Sequence, residues 1–443
     1  MAASAREVAL NVLRRIRQHR AYADLALNAE FQKNELADHD RGLVTELVYG
    51  VLRQRIYLDW LLDNFSRQPI GRMENRVADA LRLGAYQLLS LDRVPEYAAV
   101  DESVKLAPRR AAGLVNALLR TVQRRKNDLP VPAGKDPLAV AAIRWSHPLW
   151  ILREWARLFG EETAVAIAQA DQATPPAVVR VNPLQMDRDA LLVALTDLEP
   201  SPTPHSPWGV RLPRLEPALQ HPLLTAGAFL VQGEASQIVG DLLDVRAGEK
   251  VADLCAAPGG KSSFLATKVG PQGRLVAGDL HPNRLRLLQS TFQRLGITWA
   301  EVRQLDAAAP GDFYREQGPF DRILIDAPCT ALGTLAKQPE IKYQATAGDP
   351  ARLADLQLEI CRRAADGLRP GGVLLYSVCT LTAAETTSVT ERFLNERADF
   401  VRDDLRPDFA SRYDGFLQAD GTFLSLPPRT GAEGMFAARF RRK

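Results

Sequence analysis

The chain has 443 residues, enough for two or three domains, and 46 % hydrophobic with 25 % charged residues is ordinary globular composition that excludes wholesale disorder. No apolar run approaches the ~18 residues of a membrane-spanning helix, and four cysteines are too few for a disulfide framework, so the reading is a soluble chain in a reducing cytoplasm. The net charge of +3 hides an asymmetry: residues 1–150 hold 23 Lys+Arg against 17 Asp+Glu.

The segment from Met1 to Arg17 reads as an amphipathic helix rather than a signal peptide. Ala9, Leu13 and Ile16, then Val44, Leu47, Val48 and Val51, then Leu81, Leu83, Tyr86 and Leu88 recur at helical spacing. A helical bundle is expected over residues 1–130. Between Ser103 and Asn127 lie Lys105, Arg109, Arg110, Arg120, Arg124, Arg125 and Lys126 and no acid. This cluster suggests a polyanionic partner, with a merely solvated helix face as the alternative. Pro130, Pro132, Gly134 and Pro137 punctuate a linker. A small α+β segment follows over 138–235, with helices at Leu149–Phe159 and Ala164–Ala170 and a strand at Val178–Val181.

From residue 236 to the end, short apolar runs alternate with helical patterns. Strands are expected at Val251–Cys255, Leu275–Ala277, Ile323–Ile325 and Val373–Tyr376, with helices at Lys261–Lys268, Pro282–Leu295, Ala351–Leu368 and Ala384–Asn395. Doubly buried strands separated by helices make an α/β, doubly wound domain whose ligand lies at the carboxyl ends of the strands.

Asp253-Leu-Cys255-Ala256-Ala257-Pro258-Gly259-Gly260-Lys261 joins the first strand to a helix. It is a tight small-residue loop, but neither a dinucleotide fingerprint nor a phosphate-binding loop. Asp253, Asp279 and Asp306 end three successive strands. Asp279 is placed for two ribose hydroxyls and Asp306 for an adenine amino group. Three acids without a phosphate cradle suit a cationic, unphosphorylated nucleoside such as S-adenosylmethionine. The competing reading is that each Asp is a helix cap or a surface residue. Lys261 either steadies a ligand or begins its helix.

Asp326-Ala-Pro-Cys329 and Tyr376-Ser-x-Cys379 each set a thiol just beyond a buried strand. There is no C-x-x-C pair and no nearby histidine cluster, so no metal is expected. Two thiols with an acid suit methyl transfer to carbon 5 of a pyrimidine. Addition of a thiolate to carbon 6 pushes electron density onto carbon 5, and an acid near N3 stabilises the charge that develops. Cys361 falls on the apolar face of a helix and is read as core.

Together these motifs resemble the RNA cytosine-C5 methyltransferases of the Nol/Nop/Sun group. Leu43-x-x-Glu46-Leu-Val-Tyr-Gly-Val-Leu-Arg53, Leu89-Ser-Leu-Asp92-Arg-Val-Pro95 and Gly113-Leu-Val-Asn-Ala-Leu-Leu-Arg120 are similar to the NusB-like RNA-binding domain. The combination is typical of the bacterial type (Fmu/RsmB) that modifies cytosine-967 of 16S rRNA. The resemblance implies a Rossmann-like class I methyltransferase domain behind an all-α domain and a small α+β subdomain. It implies Cys379 as nucleophile and Cys329 as the group assisting product release. Residues Cys255 to Lys261, Asp279, Asp306 and Asp326 would bind the methyl donor, with Asp326 also near the target base. DNA cytosine methyltransferases use the Pro-Cys thiol, which makes Cys329 the alternative nucleophile. The middle segment would contact RNA, Arg180 included. The partner would be 16S rRNA, naked or in an incompletely assembled subunit, met by a monomer. Other outcomes are another rRNA or tRNA cytosine, or a non-catalytic assembly factor. The chain departs from the family pattern at Val378, where Thr is usual, and over Leu335–Glu340, where only Lys337 remains of a basic pair. Gly431-Ala-Glu433-Gly434-Met435-Phe436 stands where an Asp and two aromatics are usual, and a last strand at Met435–Phe440 is expected to finish the sheet.

Overall fold

The computed structural model describes residues 3–443; Met1 and Ala2, the start of the expected N-terminal helix, lie outside the described residues. The chain forms two compact units. The first runs to Thr174 and includes Leu335–Thr346; the second comprises Pro175–Thr334 and Ala347–Lys443.

The first unit is helical, as expected. Its first helix, Ala5–His19, starts at Ser4, whose side chain accepts a hydrogen bond from Glu7 N. Helices Asp38–Asp63 and Asn75–Ser90 pack their apolar faces with it around Val44, Leu47, Leu81 and Leu83. Arg82 is buried here because Asp59 and Asp79 satisfy its guanidinium, at 2.6 and 2.8 Å. Helices Pro137–Arg144, Leu149–Phe159 and Glu161–Ala170 belong to this unit. The Pro-rich stretch at 127–137 joins helix Ala112–Arg124 to helix Pro137–Arg144 inside this compact unit. Prolines break the helical hydrogen-bond ladder whether or not a domain ends there.

The second unit holds two sheets. Strands β1 (Ala177–Val181), β2 (Ser201–Pro202), β3 (Gly209–Leu212) and β4 (Phe229–Val231) form an antiparallel sheet in the order β2-β3-β1-β4. The larger sheet comprises β5 (Lys250–Asp253), β6 (Arg274–Asp279), β7 (Ala300–Gln304), β8 (Phe320–Asp326), β9 (Leu368–Val378), β10 (Phe400–Arg402), β11 (Phe423–Ser425) and β12 (Met435–Arg442). Its order is β10-β12-β9-β8-β5-β6-β7, with β11 beside β12. Strands β5 to β9 are parallel and β12 runs antiparallel to β9. The four predicted central strands exist within a few residues of their expected bounds. Helix Pro282–Leu295 has the predicted ends, fixed by Pro282 in its first turn and Gly296 at its C-cap. Cys361 is buried in the helix Asp349–Asp366, as its spacing implied. Among the described residues no helix is long and apolar enough to cross a membrane.

Candidate active site

Strands β5 and β8 are neighbours, and the chain order of the sheet reverses between them. Their carboxyl ends therefore open a crevice. The loop from Leu254 to Gly259 leaves β5 and enters helix Gly260–Val269 through Gly259, whose φ of 109° favours glycine. Asp253 is buried and braces this loop: it accepts from Ser262 Oγ at 2.5 Å and from Cys255 N at 3.4 Å. Burial pushes its carboxyl up to about 7.

Strands β8 and β9 pair with Asp326 opposite Ser377. Both run parallel, so the turns after them emerge side by side. Cys329 Sγ and Cys379 Sγ lie 3.4 Å apart, although 50 residues separate them in sequence. The hydrogen bond with Cys379, then burial, push the Cys329 thiol up. Asp326 is held on both oxygens: Lys261 Nζ lies 2.8 Å from Oδ2 and Ser377 Oγ donates to Oδ1 at 2.9 Å. Burial opposes the Lys261 charge, but the Asp326 carboxylate outweighs it and the ammonium is raised above its ordinary value. Lys261 thus does more than begin its helix.

A cleft of ≈ 290 Å³ opens here, walled by Ala256, Ala257, Pro258 and Gly260 from the loop and by Lys261, Asp326 and Cys379. Gln232, Ser236, Glu433 and Met435 line it as well. Asp253, Asp326 and Glu433 face it against one cation, Lys261. A wall of small residues with surplus negative charge fits a flat, cationic nucleoside and contains no phosphate cradle. Cys255 shares the cleft, but burial, then Asp253, Asp326 and Asp279, push its thiol far up and keep it neutral. Among the described residues no cluster of His, Cys, Asp or Glu could hold a metal ion.

The remaining expected site residues differ in their surroundings. Arg180 is not on an RNA-facing surface. It is 1 % exposed and stacks on the Phe264 ring, donating to Gln232 Oε1, Gly260 O and Ser263 Oγ at 2.6, 2.6 and 2.8 Å. Burial lowers the guanidinium to about 9. Its place on a buried β1 position makes it a brace beneath the start of helix Gly260–Val269. Asp306 is exposed two residues beyond β7, where it accepts from Ala308 N at 3.0 Å. Asp279 is buried and engaged by Ala257 N, His281 N and Arg284. The basic cluster is partly neutralised by acids, some adjacent in sequence and two from distant segments. Lys105 pairs with Asp101 and Glu102, Arg110 with Glu74, Arg125 with Asp128 and Lys126 with Glu96. Arg109, Arg120 and Arg124 carry no ion pair among the described residues.

Other site residues carry no local sequence signal. Ser377 lies inside the Tyr376-Ser-x-Cys379 motif and holds Asp326. Glu433 precedes the last strand and also walls the cleft. Gly333 is stitched between the thiol turn and the last strand: its N–H donates to Cys379 O at 2.9 Å and its carbonyl accepts from Gly434 N at 2.7 Å. A Cβ there would meet Gly434 O at 2.0 Å. Glu385 is fully buried behind both thiol turns.

The chain resembles known proteins along its whole length. Residues 241–441 match the family model for the 16S rRNA methyltransferase RsmB/F, 3–124 that of the NusB family and 147–217 the ferredoxin-like domain of RsmF/B-like methyltransferases. A probable ribosomal RNA small subunit methyltransferase B of Bacillus subtilis is 36 % identical over 99 % of each chain. A ribosomal RNA small subunit methyltransferase B of Shigella flexneri is 34 % identical, over 83 % of this chain and 85 % of its own. The crystal structure of a methyltransferase homolog protein from Pyrococcus horikoshii aligns over 70 % of this chain and 100 % of its own, at TM-score 0.59 and 26 % identity. An all-α domain, a ferredoxin-like subdomain and a mixed-sheet methyltransferase domain, in this order and at this identity, place the chain in the 16S rRNA methyltransferase RsmB/F family.

Proposed function

We propose that this chain transfers a methyl group from S-adenosylmethionine to carbon 5 of one cytosine in 16S rRNA, cytosine-967 in the usual numbering. S-adenosylmethionine supplies an electrophilic methyl on a sulfonium when bound beside the loop of residues 255–261. Cys379 is the nucleophile that adds to carbon 6 and turns carbon 5 into a carbon nucleophile. Asp326, oriented by Lys261 and Ser377, stabilises the charge that develops around N3. A base removes the carbon-5 proton, and Cys329 assists release of the product as the bond from Cys379 to carbon 6 breaks and the thiolate is expelled. The base must leave its stack to reach a recessed thiol, so the substrate is naked or incompletely assembled small-subunit RNA. Arg109, Arg120 and Arg124 contribute sequence-independent backbone attraction.

The observation supporting this most is the shared wall: Cys379 lines the same cleft as Gly260, Lys261 and Asp326, with the second thiol 3.4 Å away. The test is transfer of tritium from labelled S-adenosylmethionine to naked 16S rRNA, with bisulfite mapping of the product. Cys379→Ala abolishes transfer. Cys329→Ala leaves a protein–RNA adduct that survives denaturing gels. The reverse pattern assigns the nucleophile to Cys329, and no transfer by folded wild-type protein overturns the reading.

A further inference from the structure

Behind the two thiol turns lies one carboxylate for which the reaction above has no use. Glu385 is fully buried. Its Oε1 accepts from Thr330 N at 2.8 Å and from Gln357 Nε2 at 3.1 Å. Its Oε2 accepts from Thr330 Oγ1 at 2.5 Å, Thr382 Oγ1 at 2.9 Å and, more weakly, Thr380 Oγ1 at 3.4 Å. Thr330 is the residue after Cys329, and Thr380 the residue after Cys379. Their hydroxyls also touch, at 2.7 Å. Tyr376, three residues before Cys379, donates to the Glu385 carbonyl at 2.6 Å. Every donor meeting the carboxylate is neutral. A buried carboxylate without a counter-cation is retained at a cost in stability. That cost is spent at the point where the two turns meet, which indicates that the junction itself is what matters.

We propose that Glu385 is a positioning residue for methyl transfer, whose single carboxylate clamps the turn carrying Cys329 to the turn carrying Cys379 and so fixes the separation of the two sulfurs. The inference rests on the two-thiol reading above. Asparagine at this position would be too short to span both turns. Glutamine would serve, because its carbonyl can face the obligate donors Thr330 N and Gln357 while its amide meets hydroxyls that can rotate to accept. Removing the side chain leaves the turns tied through the hydroxyl contact, the Gly333 hydrogen bonds, the Ala327 N–Ser377 O bond at the strand ends and the contact of the two sulfurs themselves.

Two readouts on the full-length protein test the clamp. The first is turnover on naked 16S rRNA. A displacement of about 1 Å at a reacting group costs about 100-fold, so Glu385→Ala is expected to lower kcat by that order with KM for S-adenosylmethionine little changed, while Glu385→Gln stays within about threefold. The second readout needs no catalysis: the rate at which dithionitrobenzoate closes a Cys329–Cys379 disulfide, located by peptide mass spectrometry. The first thiolate displaces one nitrothiobenzoate and the second displaces the other, so the reagent is reduced as the pair is oxidised. The clamp predicts slow closure of the second step in Glu385→Ala and wild-type closure in Glu385→Gln. Wild-type closure in Glu385→Ala overturns the proposal. If that variant does not bind S-adenosylmethionine and is misfolded, Thr382→Val decides: slowed closure supports the clamp and unchanged closure overturns it. Turnover by Cys379→Ala would defeat the two-thiol chemistry while leaving the closure rates as a valid test of the clamp.

Discussion

Replacing Lys261 by Met removes the ion pair on Asp326 while keeping the length and apolar stem of the side chain. The Lys261 side chain is 8 % exposed and Asp326 31 %, with the charged atoms 2.8 Å apart. An exposed pair is worth about 0–1 kcal/mol, and breaking a fully buried one costs about 3–5 kcal/mol. This pair is desolvated on one side only, so about 1.5–3 kcal/mol is the expected loss, the range also found for hydrogen bonds to charged groups. At about 1.4 kcal/mol per decade, kcat falls roughly 10- to 150-fold if Asp326 stabilises charge in the transition state. Ser377→Ala removes the neutral donor from the other oxygen, worth about 0.5–1.5 kcal/mol, and lowers kcat roughly two- to tenfold. The assay is initial-rate tritium transfer to 16S rRNA across a range of S-adenosylmethionine concentrations. The loss in Lys261→Met must fall in kcat. A loss confined to KM for the methyl donor would mean Lys261 acts on the cofactor instead, and unchanged kinetics would refute the role given to Asp326. A larger defect in Ser377→Ala than in Lys261→Met would refute the electrostatic ordering.

Two further outcomes are expected. Lys342 is buried, with its ammonium on the carbonyls of Arg53 and Ser146 at 2.9 and 2.8 Å, and burial lowers it to about 7. Below pH 7 both folded and unfolded chains hold its proton, and the penalty is full; from pH 7 toward 10.5 only the unfolded chain does. Wild type therefore gains about 1.3 kcal/mol per pH unit over Lys342→Met between pH 7.5 and 9, read from urea midpoints; parallel pH profiles would disprove a depressed lysine. Arg109→Ala with Arg124→Ala lowers the log–log salt slope of 16S rRNA binding by about 1.4–1.8, since each lost phosphate contact removes about 0.7–0.9; an unchanged slope in filter binding would take these two residues off the RNA surface.

The fold was legible where one pattern dictated it. Val251, Ile323 and Val373 sit in runs buried on both faces, and such runs have no other reading beside helices of this length. The small-residue loop and the two cysteine motifs were legible because local spacing sets each just past a strand. Arg180 departs from the surface position its place in the sequence suggests, because what a side chain does depends on what tertiary packing puts opposite it. Arg180 lies on a strand whose outward face is covered by helix Gly260–Val269. Asp306 follows a strand by two residues, enough for its carboxylate to cap its own turn. The basic run lost much of its charge to Glu74, Glu96, Asp101, Glu102 and Asp128, and only the nearest of these could have been paired by helical spacing. Glu385 left one weak trace, a single acid among Thr380, Thr382, Thr386 and Thr387. Hydroxyls around a carboxylate are an unusual choice for a solvated helix start, but nothing local said that Thr330 would join them.

The meeting of the two thiols follows from topology. Strands β8 and β9 are parallel neighbours, so any residues just beyond their carboxyl ends emerge together. Asp326 opposite Ser377 fixes the offset, and from there Cys329 and Cys379 lie three and two residues on. A slip of one residue in this register would turn Ser377 to the other face of the sheet and take its hydroxyl from Asp326. The sheet therefore delivers the acid, its hydroxyl partner and both sulfurs to one edge of the crevice, and helix Gly260–Val269 delivers the lysine from the neighbouring strand's loop. What the sheet cannot set is the last ångström between two flexible turns. That falls to groups outside the sheet: Gly333 bridging Cys379 O to Gly434 N, and the carboxylate of Glu385 between Thr330 and Thr382.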